Sequence, residues 1–510
     1  MDMDLWTLKG YSPRPQQVDI IDEIQSAWDS DYHNIILEAG TGIGKSAIAT
    51  TVARMCGDSY ILTMTKQLQN QYLDDFSFML TEIKGRSNYL CNYGGTCKDC
   101  SVEDTGEKKC SDCEYLTQLG YAKDSANVLT NYDYLYYAGN YARQWDTREL
   151  LILDEAHNFE KKVMSLISDN LSRHKIFKRY GFDIFESVAK GGALKSINDV
   201  DYWISIVEKC LDKEKLLPNW EFPNQNEHDS LLAKYKRMIR KLVSGDFVIE
   251  LPLRKEIVAD KVVNGFRDYL NMVLKPLSVE RYSGSLLGFG RNRLFMTGTL
   301  GSKDKFCEWN GLNVDDTHYI YAKSPFPVEN RPIIRQYVCS MRQEAWRNPH
   351  ILKYIQKILS AHSDEKGVIH TSSNQQAWWI KKHLNSKRLW IAYGNTREQS
   401  IKDFENATTN RVIVGAGLKD GVDFKGDKCR FQILFKVPYP SLGSQQIKIR
   451  RKLDPSWYAY QTVQPLQQAY GRGIRDMDDY CKFYVLDEDF EHLTHEYDYF
   501  FNEYFKEAIQ

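Results

Sequence analysis

The chain has no apolar run approaching the roughly 18 residues that a membrane span needs. Its first residues, MDMDLWTLKG, also lack a basic region followed by an apolar one. Neither a membrane span nor export is expected, and the expected place of work is the cytoplasm, associated with the nucleoid, or a host's cytoplasm if the chain is phage-borne. Net charge is nearly absent as well, since 67 Lys and Arg against 68 Asp and Glu leave −1. No global field draws a polyanion, so any nucleic-acid contact has to come from local basic patches. At 510 residues with 42% hydrophobic content, the chain has the material for several packed cores, about three or four by length. Its eleven cysteines would ordinarily be buried thiols, yet five of them (Cys91, Cys97, Cys100, Cys110 and Cys113) crowd into one short segment.

Within that chain, Asn34 to Ser46 reads NIILEAGTGIGKS. The apolar run Ile35-Ile36-Leu37 predicts a strand and the Ala-rich stretch from Ala47 to Met55 a helix. Between them Ala39-Gly40-Thr41-Gly42-Ile43-Gly44-Lys45-Ser46 has the pattern of a phosphate loop. Small residues are required because backbone N–H groups close around the β-phosphate, and a side chain at Gly42 or Gly44 would hold the backbone away. Lys45 is suited to reach the β- and γ-phosphates, Ser46 to offer its hydroxyl to Mg²⁺, and the helix N-terminus to hold the anion. Upstream, Gln17 opens an amphipathic helix carrying Ile20, Ile21, Ile24 and Trp28. It is a candidate to read the adenine edge, or a polar residue at a helix start.

Arg148 to Asn158, RELLILDEAHN, predicts a buried strand ending in Asp154-Glu155-Ala156-His157. Beside a phosphate loop, Asp154 would hold Mg²⁺ through water and Glu155 would polarise the attacking water. Loop and acidic strand end together point to nucleotide hydrolysis, with ATP and Mg²⁺ as the ligands.

Ser59 to Met64 reads as a strand followed by a polar loop, TKQLQNQ, suited to a phosphate backbone. After the cysteines, NVLTNYDYL reads as strand again. From Phe159 to Gly290 apolar residues recur at helical spacing, for example Leu231, Leu232, Tyr235, Met238, Ile239, Leu242 and Val243, which predicts a helical insert. Arg291 to Leu300 restores a strand ending in Thr297-Gly298-Thr299, whose hydroxyls suit coupling to a neighbouring domain. Near Ser324-Pro325-Phe326-Pro327 the chain enters a second α/β unit with strands at 367–371, 389–393, 411–415, 431–437 and 482–486. There Arg472 and Arg475, three apart, would share one helix face. They suit a γ-phosphate reached from across a cleft, or form a solvated basic face.

Taken in order, AGTGIGKS, TKQLQNQ, DEAH, TGTL, KDGVDFKG and QAYGRGIR, with KGRSNYLC before the cysteines, resemble the motifs of the XPD/DinG-type superfamily 2 helicases. The chain departs from the family at Gly417, Lys419 and Asp420, where Ser, Trp and Glu are usual, and at Gly298, where Ala is usual. It is compact for the family, and too few residues precede Asn34 for the exonuclease domain that some relatives carry. The resemblance implies an α/β fold of two RecA-like P-loop motor domains, with an iron-sulfur insertion and a helical arch inside the first. Residues 1–84, 126–158 and 291–323 would form the first motor, 85–125 the insertion, 159–290 the arch and 324–510 the second motor.

The resemblance implies ATP-driven 5′-to-3′ movement on single-stranded and forked DNA by a monomer. Gln468, Arg472 and Arg475 would complete the ATP site from the second motor, and Asp423 would link it to the DNA track. Candidate DNA contacts are Thr65, Lys66, Arg86, Tyr89, Thr371 and Ser372. Four of the five clustered cysteines would hold a [4Fe–4S] cluster, with Cys91 first and Cys113 last. The paired CxxC spacings also suit Zn²⁺. Two other functions remain open on sequence: an ATP-switched nucleic-acid clamp that does not unwind, and an RNA helicase.

Overall fold

A computed structural model of the chain describes residues 3–40, 42–92, 94–99, 112–189, 199–217, 225–259, 270–418, 424, 426–474 and 476–510. The strands are β1 Asn34–Ala39, β2 Ser59–Thr63, β3 Thr81–Glu82, β4 Asn127–Asn131, β5 Arg148–Leu153, β6 Asp169–Ser172, β7 Phe247–Glu250 and β8 Asn271–Pro276. They continue as β9 Gly290–Thr297, β10 Thr317–Ala322, β11 Ile333–Cys339, β12 Gly367–Thr371, β13 Leu389–Ile391, β14 Val412–Ala416, β15 Phe431–Leu434 and β16 Lys482–Asp487. Among the described residues, seven of them form a parallel sheet in the order β10-β1-β9-β5-β2-β4-β3. Six more form a second parallel sheet, β11-β16-β15-β12-β14-β13.

Helices cover both faces of such sheets, so the central strands are apolar runs buried on either side. Ile35, Ile36 and Leu37 of β1 and Leu150 to Leu153 of β5 are fully buried. The chain passes from the first sheet to the second between Ala322 and Ile333, a passage that includes Pro325 and Pro327.

Four local expectations are corrected. TKQLQNQ is not a loop: the Thr65 hydroxyl accepts the Leu68 N–H at 3.2 Å and caps a helix, Lys66–Phe76. NVLTNYDYL is a strand only to Asn131, whose side chain accepts the Tyr134 N–H at 2.9 Å and starts the helix Tyr132–Asn140. The insert after Phe159 is not purely helical. Its helices Arg173–Tyr180, Val200–Leu216 and Gln225–Ser244 pack with an antiparallel sheet, β6-β8-β7, around the fully buried Trp203. Last, Arg472 is not on a helix, because Pro455–Tyr470 ends at Gly471 and Arg472 lies in the turn beyond.

The insert is fastened to the second sheet's domain by buried polar contacts. Glu160, on the helix Phe159–Ile167, pairs with Arg450 at 2.6 Å and accepts the Trp457 indole N–H at 2.9 Å. Arg450 in turn stacks over the Trp457 ring at 3.7 Å. Gln446 donates its backbone N–H to Glu250 at 2.9 Å and its amide to the Pro276 carbonyl.

Candidate nucleotide site and nucleic-acid path

β1 leads into the phosphate loop, and the helix Lys45–Cys56 leaves it with Gly44 as its N-cap. Gly42 and Gly44 have φ of 87° and 86°, a region that L side chains avoid. Space is short there too. A Cβ on Gly42 would lie 2.4 Å from the ring of Phe326, and one on Gly44 2.5 Å from the Gln17 amide nitrogen. Lys45 Nζ donates to the Ala39 carbonyl at 2.8 Å. Two side chains that sequence reasoning gave no bracing role hold the loop from outside. Arg14 donates to the Gly42 and Ile43 carbonyls at 2.6 and 2.7 Å, and Gln17 donates to Ile43 at 2.8 Å. The Gln17 oxygen accepts the Arg14 N–H at 2.8 Å, so both ends of the amide expected at adenine have partners within the protein.

At the end of β5, Asp154 is buried, and its Oδ1 accepts the Glu155 N–H at 2.9 Å. Burial, reinforced by the neighbouring Glu155, pushes its carboxyl up to about 6, while the Lys45 ammonium acts against the shift. Glu155 takes φ 54°, a left-handed turn costing a non-glycine residue about 1–2 kcal/mol. His157 joins the acidic strand end to both neighbours. Its Nδ1 lies 2.9 Å from the Thr297 hydroxyl, and the side-chain amides of Asn158, at 2.7 Å, and of Gln468 both meet its Nε2. The Thr299 hydroxyl donates to Gln464 at 2.8 Å, and the Gln464 amide donates back to the Leu300 carbonyl at 3.1 Å. The Thr299 hydroxyl thus meets one buried helix of the second domain, Pro455–Tyr470, and the Thr297 hydroxyl reaches it through His157.

Glu38, beside the loop on β1, was not singled out by the sequence. It is buried, and it accepts the Leu300 and Gly301 N–H groups, the Tyr319 hydroxyl and the Asn502 amide at 2.8–3.2 Å. The passage between domains is anchored as well. Arg331 is buried, donates to the Phe326 carbonyl at 3.3 Å and to the Tyr470 hydroxyl at 3.2 Å, and pairs with Glu507.

Arg472 is half-buried, and its charge helps hold buried His370 down at about 4, where desolvation is the main cause. Thr41, Asp423 and Arg475 lie outside the described residues.

Of the candidate DNA contacts, Thr65 and Lys66 are exposed at their helix's first turn. Thr371 and Ser372 line a cavity of about 380 Å³ between the base of the insert, at Lys161 and Met164, and the second domain, at Lys436 and Tyr439. Arg86 lies over the Tyr115 ring at 5.2 Å, whereas the Tyr89 hydroxyl accepts the Lys84 N–H at 3.0 Å and its ring packs on Tyr115.

In the cysteine segment, the Cys97 and Cys113 sulfurs are 3.7 Å apart, and Cys91 is close enough to help raise the Cys97 thiol, for which burial is the main cause. Cys100 and Cys110 lie outside the described residues. Among the described residues no group of three or more His, Cys, Asp or Glu is arranged to hold a metal ion, and no helix is long and apolar enough to cross a membrane.

Two parallel α/β domains, with a phosphate loop and an acidic strand end on one and the Pro455–Tyr470 helix of the other against them, define a two-domain P-loop nucleotide motor. Residues 355–507 match the helicase C-terminal domain family, and residues 10–179 match the family of the type III restriction enzyme res subunit. The ATP-dependent DNA helicase YoaA of Haemophilus influenzae is 30% identical, over 92% of this chain and 90% of the relative. The ATP-dependent DNA helicase CHL1 of Vanderwaltozyma polyspora is 28% identical, but over 15% of this chain and only 12% of its own length. The fold is that of solved XPD structures. An XPD helicase superposes with a TM-score of 0.62 at 15% identity, over 94% of this chain and 97% of its own. S. tokodaii Xpd4 gives 0.57 at 16%, over 98% and 99%. The chain belongs to the XPD/DinG-type superfamily 2 helicases.

Proposed function

We propose that this protein is an ATP-dependent helicase that translocates on single-stranded DNA in the 5′-to-3′ direction and opens forked duplexes as a cytoplasmic monomer. The observation that carries this is the pair of side-chain contacts from the nucleotide domain into the helix Pro455–Tyr470, His157 to Gln468 and Thr299 to Gln464. Hydrolysis beside His157 would change the contacts by which the two domains hold each other, and a relative motion of two domains is what a translocating motor needs. Lys45, Ser46, Asp154 and Glu155 would bind MgATP and activate water. Gln468 and Arg472, with Arg475 and Asp423, would act from the second domain. That the substrate is DNA follows from the relatives named as DNA helicases, which also favours this reading over an RNA helicase.

Thr65, Lys66, Arg86, Tyr89, Thr371 and Ser372 are the proposed track, with Arg86 and Tyr89 both packed on Tyr115. Residues 85–125 would be a wedge at the fork, and 159–290 an arch. A [4Fe–4S] cluster is proposed there, with Zn²⁺ as the alternative. The 3.7 Å approach of the Cys97 and Cys113 sulfurs supports thiolate ligation, with Cys91 and one of Cys100 and Cys110 completing the set. When bound, the group would supply a rigid staple for a segment too short to have a core.

The test is ATP hydrolysis with and without single-stranded DNA or RNA, and unwinding of duplexes with 5′ or 3′ tails, by wild type and Lys45→Ala. DNA-stimulated turnover and unwinding from the 5′ tail alone, both lost in Lys45→Ala, are expected. Stimulation without strand separation would leave the clamp, and stimulation by RNA alone the RNA helicase.

A further inference from the structure

The helix Lys66–Phe76 connects two parts of the proposed machinery that sequence reasoning treats separately. Its first turn, with Thr65 as cap and Lys66 exposed, belongs to the proposed DNA track. Its buried face carries Gln69, Tyr72 and Phe76. Tyr72 is six residues along from Lys66, about 9 Å at 1.5 Å per residue. Its ring is almost fully buried, its hydroxyl donates to Asp154 Oδ2 at 3.3 Å, and Ser46 is near enough to that hydroxyl to influence its proton. Those two partners are the groups proposed to hold Mg²⁺, one from the phosphate loop and one from the acidic strand end. A phenol has one proton to give, which goes to Asp154, and lone pairs left to accept from Ser46, so a single oxygen can serve both partners. A hydroxyl placed between the two would hold their separation, which matters for a cation that tolerates little departure from octahedral geometry.

We infer that Tyr72 is a positioning residue of the nucleotide site: its hydroxyl sets Ser46 against Asp154, and its helix carries the effect of DNA at Lys66 to that pair. The DNA half of this rests on the helicase reading; the metal half does not. Because the helix is a hydrogen-bonded rod with a packed face, displacement of its exposed end shifts the hydroxyl with it. The effect of bound DNA on hydrolysis then has a physical route that bypasses the second domain.

The test is Tyr72→Phe, which keeps the ring and removes the bridge. Without DNA, the Mg²⁺ concentration for half-maximal ATP hydrolysis should rise about tenfold, the size expected for one lost hydrogen bond to a charged group. The factor by which an oligo-dT strand stimulates hydrolysis should fall, while the affinity for labelled oligo-dT stays at the wild-type value and the unfolding temperature falls by no more than the few degrees that one lost hydrogen bond costs. Phe76→Leu is the companion variant, loosening the same face without touching the hydroxyl. It should lower the unfolding temperature and leave the Mg²⁺ midpoint in place. A wild-type Mg²⁺ midpoint in Tyr72→Phe overturns the inference, as does an equal shift in Phe76→Leu. A shifted midpoint with unchanged stimulation overturns the DNA half. Wild-type protein that DNA does not stimulate sinks the helicase reading instead, and the midpoint measured without DNA still decides the role of the hydroxyl.

Discussion

Replacing Glu160 by Ala removes the centre of the contact between the insert and the second domain. It leaves Arg450, 7% exposed, without its ion-pair partner, and leaves the indole N–H of Trp457 and the amide of Gln461 without the oxygen that accepts them at 2.9 and 3.3 Å. Removing one member of a buried pair costs about 3–5 kcal/mol, because the remaining charge has lost its water and gained nothing. The two stranded donors place this site at the upper end. For a unit of this size each kcal/mol moves the midpoint by about 2–4 °C, so an apparent unfolding temperature lower by about 10–20 °C is expected at a common scan rate. The double replacement Glu160→Leu with Arg450→Leu removes the charges together, and it should recover most of the loss, since apolar substitutes for a buried pair are often neutral. A shift under about 2 °C in Glu160→Ala, or a double variant as unstable as the single one, would refute the assignment of this network as the fastening of the insert. Unwinding of a forked duplex, measured beside ATP turnover, reports whether the fastening matters for strand separation.

Further outcomes can be measured with simpler changes. Gly42→Ala forces a side chain into φ 87° and against Phe326, so the apparent ATP affinity should fall about tenfold or more, with partial recovery in Gly42→Ala, Phe326→Ala, where only the backbone strain remains. His370 is held neutral down to about 4 by burial, below its unfolded value near 6.5. The unfolded chain therefore binds the proton first, and the stability His370 contributes is complete above pH 6.5 and lost as pH falls toward 4. Between pH 7 and pH 5 this is about 2 kcal/mol, which His370→Gln should remove from the pH dependence of unfolding. Asp154 and Asp487, both pushed up to about 6 by burial, act with the opposite sign, so the comparison is between variant and wild type. Protein purified without oxygen should be brown and contain iron, and Cys91→Ser should lose both the colour and unwinding while keeping more of its ATP turnover. Colourless protein with stoichiometric zinc would reject the cluster.

The motor sheets were legible because their strands are short apolar runs at the expected ends of recognisable loops. Ile35 to Leu37 and Leu150 to Leu153 are buried as their pattern demands. Burial along β8 alternates residue by residue, the strand period, but the segment sits among amphipathic helices and its partners β6 and β7 have four residues each. The end of the helix before Arg472 was signalled by Gly471 and Gly473, which the i, i+3 spacing of the arginines overrode. Gln17, Glu38 and Tyr72 were beyond reach for another reason. What they do depends on Ile43, Leu300 and Asp154, which lie 26, 262 and 82 positions away along the chain.

The passage between the domains is a short leash. Phe326, whose ring lies against Gly42 of the phosphate loop, and Arg331, locked to Tyr470 and Glu507 of the second domain, are five residues apart. Five residues span at most about 17 Å when fully extended. The domains therefore have a bounded stroke, and beyond it the ring must leave the loop. Joining the first domain of this protein to the second domain of a relative is then an alteration of the loop itself: a junction ahead of Phe326 imports the relative's residue at that contact, and a junction behind Arg331 keeps the ring but strands the guanidinium that holds its carbonyl.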